Sequence, residues 1–164
     1  MRQASDPLPT GKSAVQASAL AGSRFRVADF MLQADELPLL PWPQDATVEA
    51  GTDPQPDFAA LLRCIETHAL GFALLQKPNG RLAGLVSNAD VRRALLRHLD
   101  DLNRTRVADC INPKPFCARC EQSVPELLRA VKACPFPVAY CPVLDAEDRL
   151  VGALPFNNLI KGEA

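Results

Sequence analysis

An α/β (α+β) fold built from two β-α-β-β-α repeats packed as a pseudo-two-fold pair is what this sequence predicts, and three observations lead there. Arg24-Phe25-Arg26-Val27-Ala28-Asp29-Phe30-Met31 returns as Arg104-Thr105-Arg106-Val107-Ala108-Asp109-Cys110-Ile111. Arg81-Leu82-Ala83-Gly84 returns after a shorter interval as Arg149-Leu150-Val151-Gly152, so the first copy is the longer of the two. Between these anchors Phe58, Leu61, Leu62 and Ile65 are answered by Val124, Leu127, Leu128 and Val131, both sets spaced i, i+3, i+4, i+7 along one helix face. One supersecondary unit is thus used twice, and neither copy is expected to close a core alone.

In the first copy the unit reads as a lead-in at Val27 to Met31, a strand at Leu37 to Pro41 and a helix at Asp57 to Ala69. A hairpin from Gly71 to Val86 and a second helix from Asn88 to Asp100 follow. Asn79-Gly80 at the hairpin tip suits a primed turn, which needs positive φ. On the second helix Val91, Leu95, Leu99 and Leu102 are expected to share the buried face. The second copy repeats the order with Val107 to Ile111, Phe116 to Arg119, Val124 to Cys134, a hairpin over Val138 to Pro155 turning near Ala146 to Asp148, and a short helix Asn157 to Lys161. The excess of the first copy falls in Trp42 to Pro56, an aperiodic, proline-bearing loop that covers a cleft or docks a partner through an exposed Trp42, or is simply a tolerated insertion. Residues 1–22, rich in Ser, Ala, Gln, Gly and Pro, read as a flexible tail, leaving 23–103 and 104–164 for the two repeats.

Composition narrows the function. The 164 residues are 48% hydrophobic with a net charge of −1, so no basic excess points to nucleic acid. The apolar runs are far shorter than a membrane span, and no charged-then-apolar leader opens the chain, so a cytoplasmic, reducing setting is expected. There is no Ser/His/Asp or Cys/His signature and no Gly-x-x-x-x-Gly-Lys loop, which argues against an enzyme.

The stretch that carries chemistry is Gly84-Leu85-Val86-Ser87-Asn88-Ala89-Asp90-Val91-Arg92-Arg93, where a buried strand runs into a helix. Ser87 falls at the N-cap and Asp90 three residues on. That spacing makes a capping box, and equally a seat for a nucleotide, because the helix end favours phosphate and the carboxylate can accept from ribose hydroxyls. Arg92 and Arg93 are either a solvated basic face or a source of charge for a phosphate.

The tandem repeat, Asp29-Phe30-Met31, Asn79-Gly80-Arg81-Leu82-Ala83-Gly84 and Ser87-Asn88-Ala89-Asp90-Val91-Arg92-Arg93 together resemble the CBS-domain pair, or Bateman module, over roughly residues 24–162. The motif looks most like the pairs attached to arabinose-5-phosphate isomerases and sugar nucleotidyltransferases, where Thr-Asp-Gly-Asp stands in place of Ser87-Asn88-Ala89-Asp90. The resemblance extends to their regulatory pair and not to their catalytic domain. It implies a regulatory, signal-transducing module without a resident cofactor. Such a module binds AMP, ADP, ATP or a related phosphate between the repeats, forms a homodimer and acts on a regulated protein partner. Carried over to this chain, it makes Ser87, Asn88, Asp90 and Arg92 the nucleotide-binding residues, with Ser87 on a phosphate and Asp90 on the ribose. A nucleotide-sugar or sugar phosphate as ligand, and a ligand-free docking scaffold, are the alternatives.

At the matching positions of the second copy, Pro155 stands for Ser87 and Asn158 for Asp90. Proline has neither hydroxyl nor N–H, and asparagine keeps an acceptor but no charge. One competent cleft per chain is therefore expected, with Asn158 marking a second that is empty or differently used. Six cysteines, at 64, 110, 117, 120, 134 and 141, include the pair Cys117-Ala118-Arg119-Cys120, which alone is two ligands short of a zinc site. Buried reduced thiols are the first reading; zinc and a thiol switch are the others.

Overall fold

The computed structural model describes residues 25–43 and 56–161. The proposed tail and most of the 42–56 loop lie outside these residues. The first repeat comprises β1 (Leu39–Pro41), α1 (Phe58–His68), β2 (Phe72–Gln76), β3 (Leu82–Ser87) and α2 (Asn88–Arg97). The second comprises β4 (Ala118–Arg119), α3 (Val124–Lys132), β5 (Tyr140–Leu144), β6 (Leu150–Pro155) and α4 (Phe156–Lys161). Each forms a three-stranded sheet, ordered β1-β2-β3 and β4-β5-β6, whose first pair is parallel and second antiparallel.

The two lead-ins have the same local fold. In each, the Asp of Arg-Val-Ala-Asp accepts from the Arg backbone N–H at 2.8 Å and closes a short 3-10 turn. They are exchanged between the repeats. Val27 is buried with Val124, Leu127, Val143 and Leu154 of the second repeat. Val107 and Cys110 are buried with Leu61, Ile65, Leu75 and Val86 of the first. The chain following each lead-in adds to a sheet edge. Leu85 and Asn112 exchange backbone hydrogen bonds of 3.0 and 2.8 Å, and Leu32 and Ala153 do so at 2.8 and 3.4 Å.

This crossing explains the glycine of each Arg-Leu-x-Gly segment. A Cβ at Gly84 would lie 2.5 Å from Ile111 Cγ1 and 2.7 Å from the Asn112 carbonyl oxygen. One at Gly152 would lie 2.6 Å from Met31 Sδ. A third core, of Leu37, Phe72, Leu74, Leu85, Leu150 and Ala153, joins the two sheets, with the Phe72 and Tyr140 rings stacked 4.4 Å apart. These two rings occupy equivalent positions in the repeats, so the stack lies on the pseudo-two-fold relation between them.

Three local expectations are corrected. The first hairpin does not use a primed turn. Gly80 (φ +79°) alone takes positive φ at the tip, and its N–H donates to the Lys77 carbonyl. Pro78 holds φ negative at the second position of that turn, so the loop is a type I turn closed by a left-handed residue. Asp148, at φ +62°, takes the same place in the second hairpin. Helix α2 ends at Arg97 rather than Asp100, leaving Leu99 and Leu102 at 64% and 50% exposure instead of on the buried face. The chain turns off at His98, and Val107 and Cys110 join Val91 and Ala94 in that core. Trp42 is not an exposed anchor: it is half-buried against the first core, and its backbone N–H donates to the Gln76 carbonyl at 2.7 Å.

Candidate functional site

The step from β3 to α2 is built as a capping box. Ser87 Oγ accepts from the Asp90 N–H at 3.1 Å, and Asp90 Oδ2 accepts from the Ser87 N–H at 3.0 Å and from its hydroxyl at 2.5 Å. Arg93 donates to Asp90 Oδ1 at 2.6 Å. Three of the roughly four lone-pair positions of the carboxylate are thereby occupied within the chain. Arg93 is largely exposed, so this ion pair adds at most about 1 kcal/mol to stability. Its importance is that it holds a cation beside the carboxylate.

Ser87, Asp90 and Arg93 form one wall of a cleft of about 260 Å³. The opposite wall belongs to the second repeat: Asn112, Pro115 and Phe116 from the chain after its lead-in, and Phe136, Val138 and Tyr140 from the approach to β5. The cleft is polar and charged on one side and apolar and aromatic on the other. Burial pushes the Tyr140 phenol above its ordinary value; a hydrogen bond with Ser87 opposes this, and the Asp90 charge adds to it. Tyr140 therefore stays a neutral hydroxyl at physiological pH.

Two of the residues expected to bind a nucleotide, Ser87 and Asp90, share this wall. Asn88 and Arg92 are exposed and do not line the cleft. Asn88 begins α2, with its backbone N–H on the Gly71 carbonyl at 3.0 Å. Arg93 is the arginine that reaches the carboxylate. In the second repeat, Pro155 ends β6 opposite Tyr140, and the Asn158 amide donates to the Phe30 carbonyl at 3.4 Å, a backbone partner supplied by the first lead-in. A larger groove of about 850 Å³ runs along β1 between Trp42 and Pro78 but gathers no comparable polar cluster among the described residues.

The second-repeat wall escaped the sequence reading because motif matching looks along one copy at a time. Tyr140 was within reach, since it begins the strand equivalent to the one that Phe72 begins. The six thiols are free, Cys110 and Cys141 being buried and the others half-buried. Among the described residues no cluster of His, Cys, Asp and Glu is arranged to hold a metal, and no helix is long and apolar enough to cross a membrane.

No protein-family model matches the chain, and no curated protein sequence does. Its architecture does match solved structures. CBSX2, a CBS-pair protein from Arabidopsis thaliana, is 20% identical with a TM-score of 0.64, over 86% of this chain and 95% of that one. The same protein in complex with AMP has a TM-score of 0.63 at 20% identity, over 85% and 96% of the two chains. The CBS-domain pair of protein MJ0100, in complex with 5′-methylthioadenosine and S-adenosyl-L-methionine, has a TM-score of 0.61 at 15% identity, over 85% and 100%. With the exchanged lead-ins, the paired three-stranded sheets and the inter-repeat cleft already described, this likeness establishes that the chain has the fold of a CBS-domain pair.

Proposed function

We propose that this chain is a regulatory, non-enzymatic module that binds an adenosine nucleotide or related phosphate between its repeats and signals through dimer or partner contacts. The observation that carries the reading is the two-sided cleft. A hydroxyl, a carboxylate and an arginine at a helix start suit ribose and phosphate, and an apolar, aromatic wall opposite suits a base. Two of the structures compared above hold adenosine compounds, which supports the choice of base. The walls come from different repeats, so a ligand there bridges them. It can shift the pair only as far as it binds two arrangements unequally. Residence in the cytoplasm and homodimerisation belong to the same reading.

The test is thermal unfolding with millimolar AMP, ADP, ATP and nucleotide-sugars, on wild type and Asp90→Ala. A ligand at 100 times its dissociation constant adds about 2.7 kcal/mol, enough to raise the midpoint by several degrees. Asp90→Ala lowers the baseline by itself through loss of the cap, so the readout is the ligand-induced increment, which should vanish. An increment with a nucleotide-sugar alone would select the sugar-linked ligand.

A docking scaffold without a ligand is the second reading. It is favoured by the internal engagement of Asp90 and by the exposure of Leu96, Leu99 and Leu102, each at least half exposed. No increment with any compound, in a folded wild type, would select it.

A further inference from the structure

Phe58 at the start of α1 answers to Val124 in α3, and Phe72 at the start of β2 answers to Tyr140 in β5, but the second copy takes the longer path between its two positions. The extra length falls in Cys134-Pro135-Phe136-Pro137, where the first copy has the shorter Ala69-Leu70-Gly71 turn with positive φ at Ala69 and Gly71. Phe136 lines the cleft across from Ser87, Asp90 and Arg93, yet the residue is 52% exposed. Among the described residues the close ring pairs are Phe25–Phe30 and Phe72–Tyr140, so no aromatic neighbour uses the faces of the Phe136 ring.

Two prolines restrict the backbone that carries this ring. Pro135 and Pro137 fix their own φ, and a residue before proline is confined to extended backbone, which restricts both Cys134 and Phe136. An aromatic on a restricted backbone loses less conformational freedom when a planar group lands on it. Isolated exposed apolar side chains need no explanation, but this one is distinguished by its position. The aromatic insertion lies in the second copy and the hydroxyl–carboxylate pair in the first, and the exchange of lead-ins brings both to one cleft. By the pseudo-two-fold relation the other cleft pairs Pro155 and Asn158 with Ala69-Leu70-Gly71, which offers neither the aromatic nor the carboxylate.

We propose that Phe136 is a specificity-determining residue that recognises the base of the ligand by stacking, so that the cleft selects nucleotides over phosphosugars lacking a base. This rests on the reading of the cleft as a nucleotide site. The charge pattern agrees with a modest anionic load, since among the described residues the one cation lining the cleft, Arg93, already faces Asp90.

The test is calorimetric titration of the full chain with AMP and with ribose 5-phosphate, on wild type, Phe136→Ala and Phe136→Trp. A base stacked on an aromatic contributes about 1–3 kcal/mol by alanine substitution, or roughly a 5- to 150-fold change in affinity. Phe136→Ala should weaken AMP by that factor, and Phe136→Trp should retain it. Wild type should bind ribose 5-phosphate at least as much more weakly than AMP. The ligand-free thermal midpoint of both variants should stay near wild type, because the ring is half exposed. AMP bound equally by wild type and Phe136→Ala overturns this proposal and leaves the nucleotide reading standing. Wild type that binds ribose 5-phosphate as well as AMP also overturns it. Failure of wild type to bind AMP, and ADP and ATP titrated in the same way, overturns the nucleotide reading and, with it, the role of Phe136.

Discussion

Replacing Gly84 with alanine tests the crossing of the lead-ins directly. The added Cβ would stand 2.5 Å from Ile111 Cγ1 and 2.7 Å from both Ile111 Cδ1 and the Asn112 carbonyl oxygen. Ordinary carbon contacts are near 3.5–4.0 Å, so the chain after the second lead-in must retreat by about 1 Å. The Ile111 side chain is half-buried and can rotate away, but the Asn112 oxygen is backbone and accepts from Leu85 N–H at 3.0 Å. Overpacking of this kind costs about 1–3 kcal/mol. Loss of the two Leu85–Asn112 hydrogen bonds adds about 0.5–1.5 kcal/mol each. The expected destabilisation is about 2–6 kcal/mol, read from the urea midpoint at unchanged slope. Because Asn112 lines the cleft, AMP affinity should fall in the same variant. A Gly84→Ala protein within about 0.5 kcal/mol of wild type would refute the close approach, and with it the exchanged packing that brings Asn112 to the cleft.

Two further outcomes follow from the geometry. Ala69 caps α1 in the left-handed region at φ 52°, its N–H on the Ile65 and Glu66 carbonyls, so Ala69→Gly should stabilise the protein by about 0.5–1 kcal/mol in the same urea assay; a loss of stability would contradict the assigned backbone. Burial raises the Cys110 thiol to about 11 and Cys141 to about 12, with Asp109 adding to the first and Cys117 to the second. The folded state then keeps protons that the unfolded state releases above about pH 9, so stability is complete below that pH and falls as pH rises toward the folded values, by about 1.4 kcal/mol per unit per thiol. Urea midpoints at pH 8, 9 and 10 should decline less steeply in Cys141→Ala than in wild type, and parallel declines would sink the assignment.

The internal comparison of this chain shows how far a repeat can be read without a structure. The matched octapeptides around Val27 and Val107 do fold alike, down to the Asp29 and Asp109 contacts to the preceding arginine N–H. Ser87 and Asp90 do form the box their spacing announces. The tip at Asn79-Gly80 went otherwise because Pro78 imposed its own φ one residue earlier. The Leu99 and Leu102 stripe failed because periodicity cannot sense where a chain must turn off to reach another part of the fold.

Repetition, strand and helix order, and the capping chemistry at Ser87 are properties of neighbours along the chain, and the sequence alone determined them. Which sheet receives which lead-in is different in kind. Val27 and Val107 head nearly identical segments that suit either sheet equally well, so no local preference distinguishes staying with one's own copy from crossing to the other. Closure of the whole chain decides it, through the burial of each valine in the opposite core. That decision also creates the cleft. Asn112, Phe116, Phe136 and Tyr140 face Ser87 and Asp90 only because the repeats pack across one another, and a wall drawn from the other repeat has no signature in the linear sequence around Asp90.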